Sequence, residues 1–212
     1  MTGTAAPAIV IVPGLRDHVE DHWQTVLAGR LGDAGRTVHT VPPPVGDRLS
    51  RDAHVADVAR VMVRTAGPVL IVAHSAGVMT TVQWAQGHGA DVRGALLAVP
   101  PDFGRPLPDG YPTPAELARH GWTPVPRKPL PFPSILAASS NDPLGSLGRV
   151  TGLARDWGSR LVRIGPVGHL NPASGHGPWP YAEELLDALE RGGIPTVPGP
   201  PYPRPRKGND EH

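Results

Sequence analysis

Ser75, Asp142 and His169 are the residues of this 212-residue chain whose types and order could do chemistry together. Ser75 stands in the run Val72-Ala73-His74-Ser75-Ala76-Gly77, where small residues follow an apolar stretch at once. A serine hydroxyl is barely ionised at neutral pH, so attack on a carbonyl carbon requires a base. His169, flanked by Gly168, could take the proton, and Asp142 could hold the imidazole tautomer and stabilise the imidazolium that forms. Such a site also needs donors for the oxyanion, whose loss typically costs ~10²–10³ in rate. The Ala76 N–H, directly after the serine, is the first expected donor. The second is the Leu15 N–H of the Val12-Pro13-Gly14-Leu15-Arg16 stretch, with the Arg16 N–H as the alternative. Arg16, Trp122 and His176 are the expected substrate contacts.

Each assignment has a rival. A serine after a strand is also an ordinary helix cap. His176 shares the final loop with His169, but His169 follows its strand sooner. Asp102, in Pro100-Pro101-Asp102, could supply the acid and is read instead as a turn residue. Ser174 is the fallback nucleophile. His74 is expected beneath Ser75 rather than in the chemistry. His18 and His22 are four apart beside Asp17 and Asp21, a spacing that could hold a metal. Without a third-ligand pattern they read as an acid-rich helix start, and no metal or other cofactor is expected. Trp23 and Trp179 are assigned to the core.

Elements that could bring these residues together are visible as six short apolar runs, Ala8–Val12, Thr37–Val41, Val69–Ala73, Ala95–Val99, Ser134–Ala138 and Leu161–Ile164. They are rich in Val, Ile and Leu without alternation, as strands buried on both faces are. Between them lie residues at helical spacing: Trp23, Val26, Leu27, Leu31; Val55, Val58, Met62; Val78, Val82, Ala85. This alternation predicts a doubly wound α/β architecture with a mostly parallel sheet and a site at the strands' carboxyl ends. Ser75, Asp142 and His169 each follow a different strand, in the chain order of the α/β-hydrolases. One domain over residues 1–191 is expected. Its proline-rich connection at 100–131, with a short helix near Pro114–His120, is read as a functional loop or minimal lid. Residues 192–212 read as an extended, disordered tail.

The stretches "VPGLRDHVEDHWQ", "VAHSAG", "LPFPSILAASSNDP" and "GHLNPASGHGPWP" resemble the small serine hydrolases of the retinoblastoma-binding-protein-9 and YdeN type. The likeness covers roughly residues 8 to 190. It implies a compact α/β-hydrolase fold with little lid, and Ser75, Asp142 and His169 as the triad. Two departures bear on the acyl pocket. The segment 42–52 lacks the tryptophan expected of bacterial relatives, and 100–131 is longer and richer in proline, so the resemblance does not extend to a substrate.

Composition bounds the rest. Lys plus Arg at 20 against Asp plus Glu at 19 gives a formal charge of +1, which offers no attraction for nucleic acid or an anionic membrane. The absence of cysteine excludes disulfides, thiolate metal sites and a cysteine nucleophile. No apolar run is long enough for a signal-peptide core or a membrane span, so a cytoplasmic protein is the expectation. The 28 prolines and 26 glycines cluster in loops and the tail, which leaves the core pattern intact. The leading expectation is a serine hydrolase acting on a small-molecule ester, thioester or amide. The alternatives are an acyl transferase or a cyclase/thioesterase using the same triad, with the proline-rich loop holding an acceptor or a carrier-bound chain, and a noncatalytic binding module. Oligomeric state is left open.

Overall fold

Five consecutive residues without a polar side chain, all buried, form the first strand, β1 (Ala8–Val12). In the computed structural model, which describes residues 6–16, 19–87 and 91–192, that strand lies inside a six-stranded, all-parallel sheet. The other strands are β2 (Val38–Thr40), β3 (Val69–His74), β4 (Val92–Ala98), β5 (Ser134–Ala138) and β6 (Arg160–Arg163), in spatial order β2-β1-β3-β4-β5-β6. The chain therefore winds outward in both directions from β1 and β3. Their shared carboxyl end, where Val12 pairs with Ala73, is the switch point at which such sheets place ligands.

Alternate strand residues face opposite layers. Val10, Val12, Ile71, Ala73, Leu97 and Leu136 pack against α2 (Arg51–Arg64), α3 (Ala76–Ala85) and α5 (Leu147–Trp157). Ile9, Ile11, Leu70, Val72, Leu96 and Ile135 pack against α1 (Trp23–Asp33) and α6 (Tyr181–Glu190). Trp23 and Trp179 meet edge to face at 4.9 Å in this second layer. Burial on both faces is why these strands show no alternation in sequence.

The boundaries differ from expectation by a few residues. β4 begins at Val92 rather than Ala95, because the half-exposed start of the strand carries Arg93 and breaks the apolar run. It ends before Val99, whose φ of 44° leaves the β region. After β5 a loop through Asp142 and Pro143 leads to α5, which begins at Leu147.

The proline-rich connection is tightly built. Its helix α4 (Pro114–Arg119) opens with a reciprocal Thr113–Glu116 capping box and buries Leu117. Trp122 is fully buried against Phe103 and His54, and its indole N–H donates to the Leu49 carbonyl at 2.6 Å. Trp157 donates to the Pro126 carbonyl at 2.8 Å. Among the described residues no helix is long and apolar enough to cross a membrane. The tail from residue 193, and His18, lie outside the described residues.

Candidate active site

The turn after β3 forces Ser75 into φ 56° and ψ −127°, a conformation that L residues avoid. Surrounding contacts hold it there. The Ser75 N–H donates to the Ala98 carbonyl at 3.0 Å, and the Ser75 carbonyl accepts from the Val78 N–H that opens α3. The loop after β1 crosses directly over this turn. A Cβ on Gly77 would lie 2.2 Å from the Val12 carbonyl oxygen and 2.4 Å from that of Pro13. Gly14 approaches from the other side, its missing Cβ 3.2 Å from the Ser75 Cβ. Gly77 is thus required by close approach of two backbones.

Ser75 Oγ lies 2.8 Å from His169 Nε2. On the far side of the ring, Nδ1 lies 2.9 Å and 3.1 Å from the two oxygens of Asp142. A carboxylate only accepts, so Nδ1 carries the proton and Nε2 is free to accept from the serine hydroxyl. Asp142 and His169 are both buried, at 8 % and 4 % exposure, which shields the pair from water. Asp142 also accepts from the Leu144 N–H at 2.8 Å.

Two loops carry the acid and the base, and polar side chains that were not singled out from sequence join them. Ser139 Oγ accepts from the Val167 N–H at 3.3 Å, and Asn141 Oδ1 accepts from the Gly168 N–H at 2.7 Å. Within the final loop, the His169 N–H donates to Ser174 Oγ at 2.9 Å, and that hydroxyl donates to Asn171 Oδ1 at 2.8 Å. Ser174 is therefore occupied in fixing His169. Beneath, His74 donates to the His169 carbonyl, and the His22, His74 and His169 rings follow one another at 4.6 Å and 5.1 Å. His22 Nδ1 accepts from the Gln24 N–H, capping α1. Among the described residues no group of three His, Cys, Asp or Glu is placed to hold a metal.

Ser75 and His169 line a cavity of about 480 Å³. Its walls are the β1 loop (Pro13 to Arg16), Leu107, Gly110, Tyr111 and Pro112 with Phe103, and the final loop at Asn171 to Ala173. Leu15 and Ala76, the expected oxyanion donors, both line it. Arg16 does too, its guanidinium donating to the Gly110 carbonyl at 3.0 Å and lying 4.2 Å over the Tyr111 ring.

Two expected substrate contacts are corrected. Trp122 is sealed in the core and does not line the cavity at Ser75; Phe103, packed on it, takes the place at the wall. His176 lies outside the lining, although partial burial lowers its imidazole pKa. Asp102 forms an ion pair with Arg149 at 2.8 Å and accepts from the Gly104 N–H, consistent with a turn residue. Behind Pro13 and Gly14 lies a second cavity of about 250 Å³, lined also by Val41, Pro42, Pro43 and His54.

Known structures share this architecture. A YdeN-like hydrolase from Pectobacterium atrosepticum superposes with a TM-score of 0.68 and 27% identity, over 86% of this chain and 89% of that one. The ydeN product of B. subtilis gives 0.65 and 16%, over 86% and 98%. Est1E from Butyrivibrio proteoclasticus, solved with ferulic acid, gives 0.67 and 12%, over 90% and 89%. No curated protein sequence matches the chain significantly. Residues 9–188 match the family described as serine hydrolase, and with that span and this fold the chain belongs to the serine hydrolase family, as a small α/β-hydrolase of YdeN type.

Proposed function

We propose that the protein cleaves a small ester, thioester or amide through an acyl-enzyme on Ser75. The observation that carries this reading is the hydrogen-bonded series from Ser75 Oγ through His169 to Asp142, opening into the apolar-walled cavity. Ser75 Oγ attacks the carbonyl carbon as His169 Nε2 takes its proton, and Asp142 stabilises the imidazolium. The oxyanion meets the Ala76 and Leu15 N–H groups, with Ala76 at the positive end of α3. His169 then gives the proton to the leaving group. Water, deprotonated by the same nitrogen, releases the acid and restores Ser75. These steps use only groups of this chain.

A fluorophosphonate probe tests the reading. Intact mass should show one adduct, mapped to Ser75, and Ser75→Ala should show none. A folded protein that takes up no probe would overturn it. The cavity volume also suits acyl chains larger than acetyl, free or presented on a carrier.

A further inference from the structure

Gln24 is a polar residue on the inner face of α1, in line with Leu27 and Leu31, and it is fully buried. Its backbone N–H donates to the capping His22 Nδ1 at 3.2 Å, which fixes it at the start of the helix. Its side-chain Nε2 donates twice, to the Val72 carbonyl at 3.0 Å and to the Val12 carbonyl at 3.3 Å. These carbonyls belong to the paired strands β3 and β1, whose ladder ends at Val12–Ala73. Val72 stands three residues before Ser75, and Val12 three residues before Leu15. One carboxamide thus ties the two strand ends from which the proposed nucleophile and the proposed oxyanion donor depart. Val12 is also confined from the opposite layer, where a Cβ on Gly77 of α3 would come within 2.2 Å of its carbonyl oxygen. Gln24 itself lies in the lining of the Ser75 cavity. Its Oε1, however, is buried and meets no donor among the described residues. A buried acceptor without a partner lowers stability, so the fold alone gives little reason for an amide here.

We propose that Gln24 is a positioning residue for catalysis, whose two hydrogen bonds set the spacing between the Ser75 turn and the Pro13-Gly14-Leu15 loop. This rests on the reading of Ser75 as nucleophile and Leu15 as oxyanion donor, and adds the group that holds the two in register. Both must be placed at once, because charge appears on the oxygen as Ser75 Oγ bonds to the carbon. Beyond Val12–Ala73 no strand pairing joins the two segments, so a brace at that last pair sets where each one starts. Loss of the brace lets the donor and the nucleophile drift apart, and small displacements of this kind are costly in rate.

Two variants test the idea. Gln24→Met keeps length and bulk and removes both donors; Gln24→Asn keeps an amide one methylene too short to reach both carbonyls. Activity on 4-nitrophenyl butyrate is counted per serine that a fluorophosphonate labels at completion, so unfolded protein does not enter. In each variant kcat should fall ten- to hundredfold with KM within about threefold. The rate of fluorophosphonate labelling, which draws on the same oxyanion donors, should fall in parallel. The melting temperature of Gln24→Met should stay within about 2 °C of wild type, because the unpaired oxygen is removed together with the donors. A residue that served only the fold would show the reverse, a lower melting temperature with kcat per labelled serine unchanged. That result, or a loss in kcat that the labelling rate does not follow, overturns the inference while the serine hydrolase reading stands. A folded wild-type protein that takes up no probe overturns both.

Discussion

His74 donates its Nε2–H to the backbone carbonyl of His169 at 3.0 Å, so the residue before the proposed nucleophile anchors the loop of the proposed base. Positive φ angles flank His169, 57° at Gly168, which glycine adopts freely, and 48° at Leu170, which strains a leucine. Replacing His74 by Leu keeps bulk and removes the donor, leaving a buried carbonyl unsatisfied. The expected result is a ten- to hundredfold loss in kcat with KM within about twofold, since small displacements of a catalytic group have that effect. Steady-state kinetics beside thermal melts separates this from unfolding. His74→Gln, which retains an N–H, should recover part of the loss.

The backbone at Ser75 gives a second test, in which stability and activity move apart. Ser75→Ala and Ser75→Gly remove the same hydroxyl, but only glycine accepts φ 56° and ψ −127° without strain. Releasing about 1 kcal/mol of strain should make the glycine variant melt roughly 2–4 °C above the alanine variant. Neither should turn over substrate. A glycine variant that melts below Ser75→Ala would mean that the turn is relaxed.

Gly77 tests the contact between the β1 loop and the serine turn. An alanine Cβ there would meet two backbone carbonyls at 2.2 Å and 2.4 Å, and neither can rotate away. The Pro13-Gly14-Leu15 loop must lift instead, carrying the proposed Leu15 donor with it. Gly77→Ala should lose about 2–3 kcal/mol of stability and at least ~10² in kcat. Urea denaturation and kinetics read the two effects separately.

Much of this arrangement was legible in the sequence, for identifiable reasons. The strands β1, β3, β4 and β5 are buried along most of their length and leave apolar runs, whereas β2 and β6 at the sheet edges are half-exposed and shorter. The exposed start Val92-Arg93 and the polar strand end His74 fell outside the expected runs. Residues that close a strand are brought to one edge by a parallel sheet, which is how Ser75, Asp142 and His169 could be grouped before any coordinates. Trp122 misled because a tryptophan among prolines looks exposed, whereas this loop folds back on the sheet and the Leu49 carbonyl satisfies the indole. Ser139 and Asn141 join the two loops, and Ser174 braces the final loop from within, through hydrogen bonds to backbone N–H groups. Such bonds have no periodicity to read.

His54 gives the fold a dependence on acid. It is buried behind the Pro13–Gly14 loop, and desolvation lowers its pKa below 6.5 despite a hydrogen bond to the Arg48 carbonyl. Its contribution to stability is therefore complete above the unfolded value near 6.5 and is lost as pH falls through the lower folded value. His54→Gln keeps an N–H donor and removes the titration. The melting temperature should fall less between pH 7.5 and pH 5 in this variant than in the wild type. An equal fall would show that His54 contributes nothing to the acid response.

The two histidines of the final loop should respond unequally to replacement. His169 faces both Ser75 and Asp142 at hydrogen-bond distance, whereas the His176 side chain lies outside the cavity lining. If Ser75, His169 and Asp142 act as a unit, His169→Ala removes nearly as much as Ser75→Ala, and combining the two adds little further. The expected loss in kcat for His169→Ala is at least ~10⁴, leaving the residual rate that binding and oxyanion donors supply alone. His176→Ala should stay within about fivefold of wild type, because a half-buried side chain away from the reacting atoms can act only through the loop. Single-mutant kinetics, with circular dichroism confirming the fold, decides between the histidines. An inactive His176→Ala beside an active His169→Ala would reassign the base and require the final loop to run differently around Asn171.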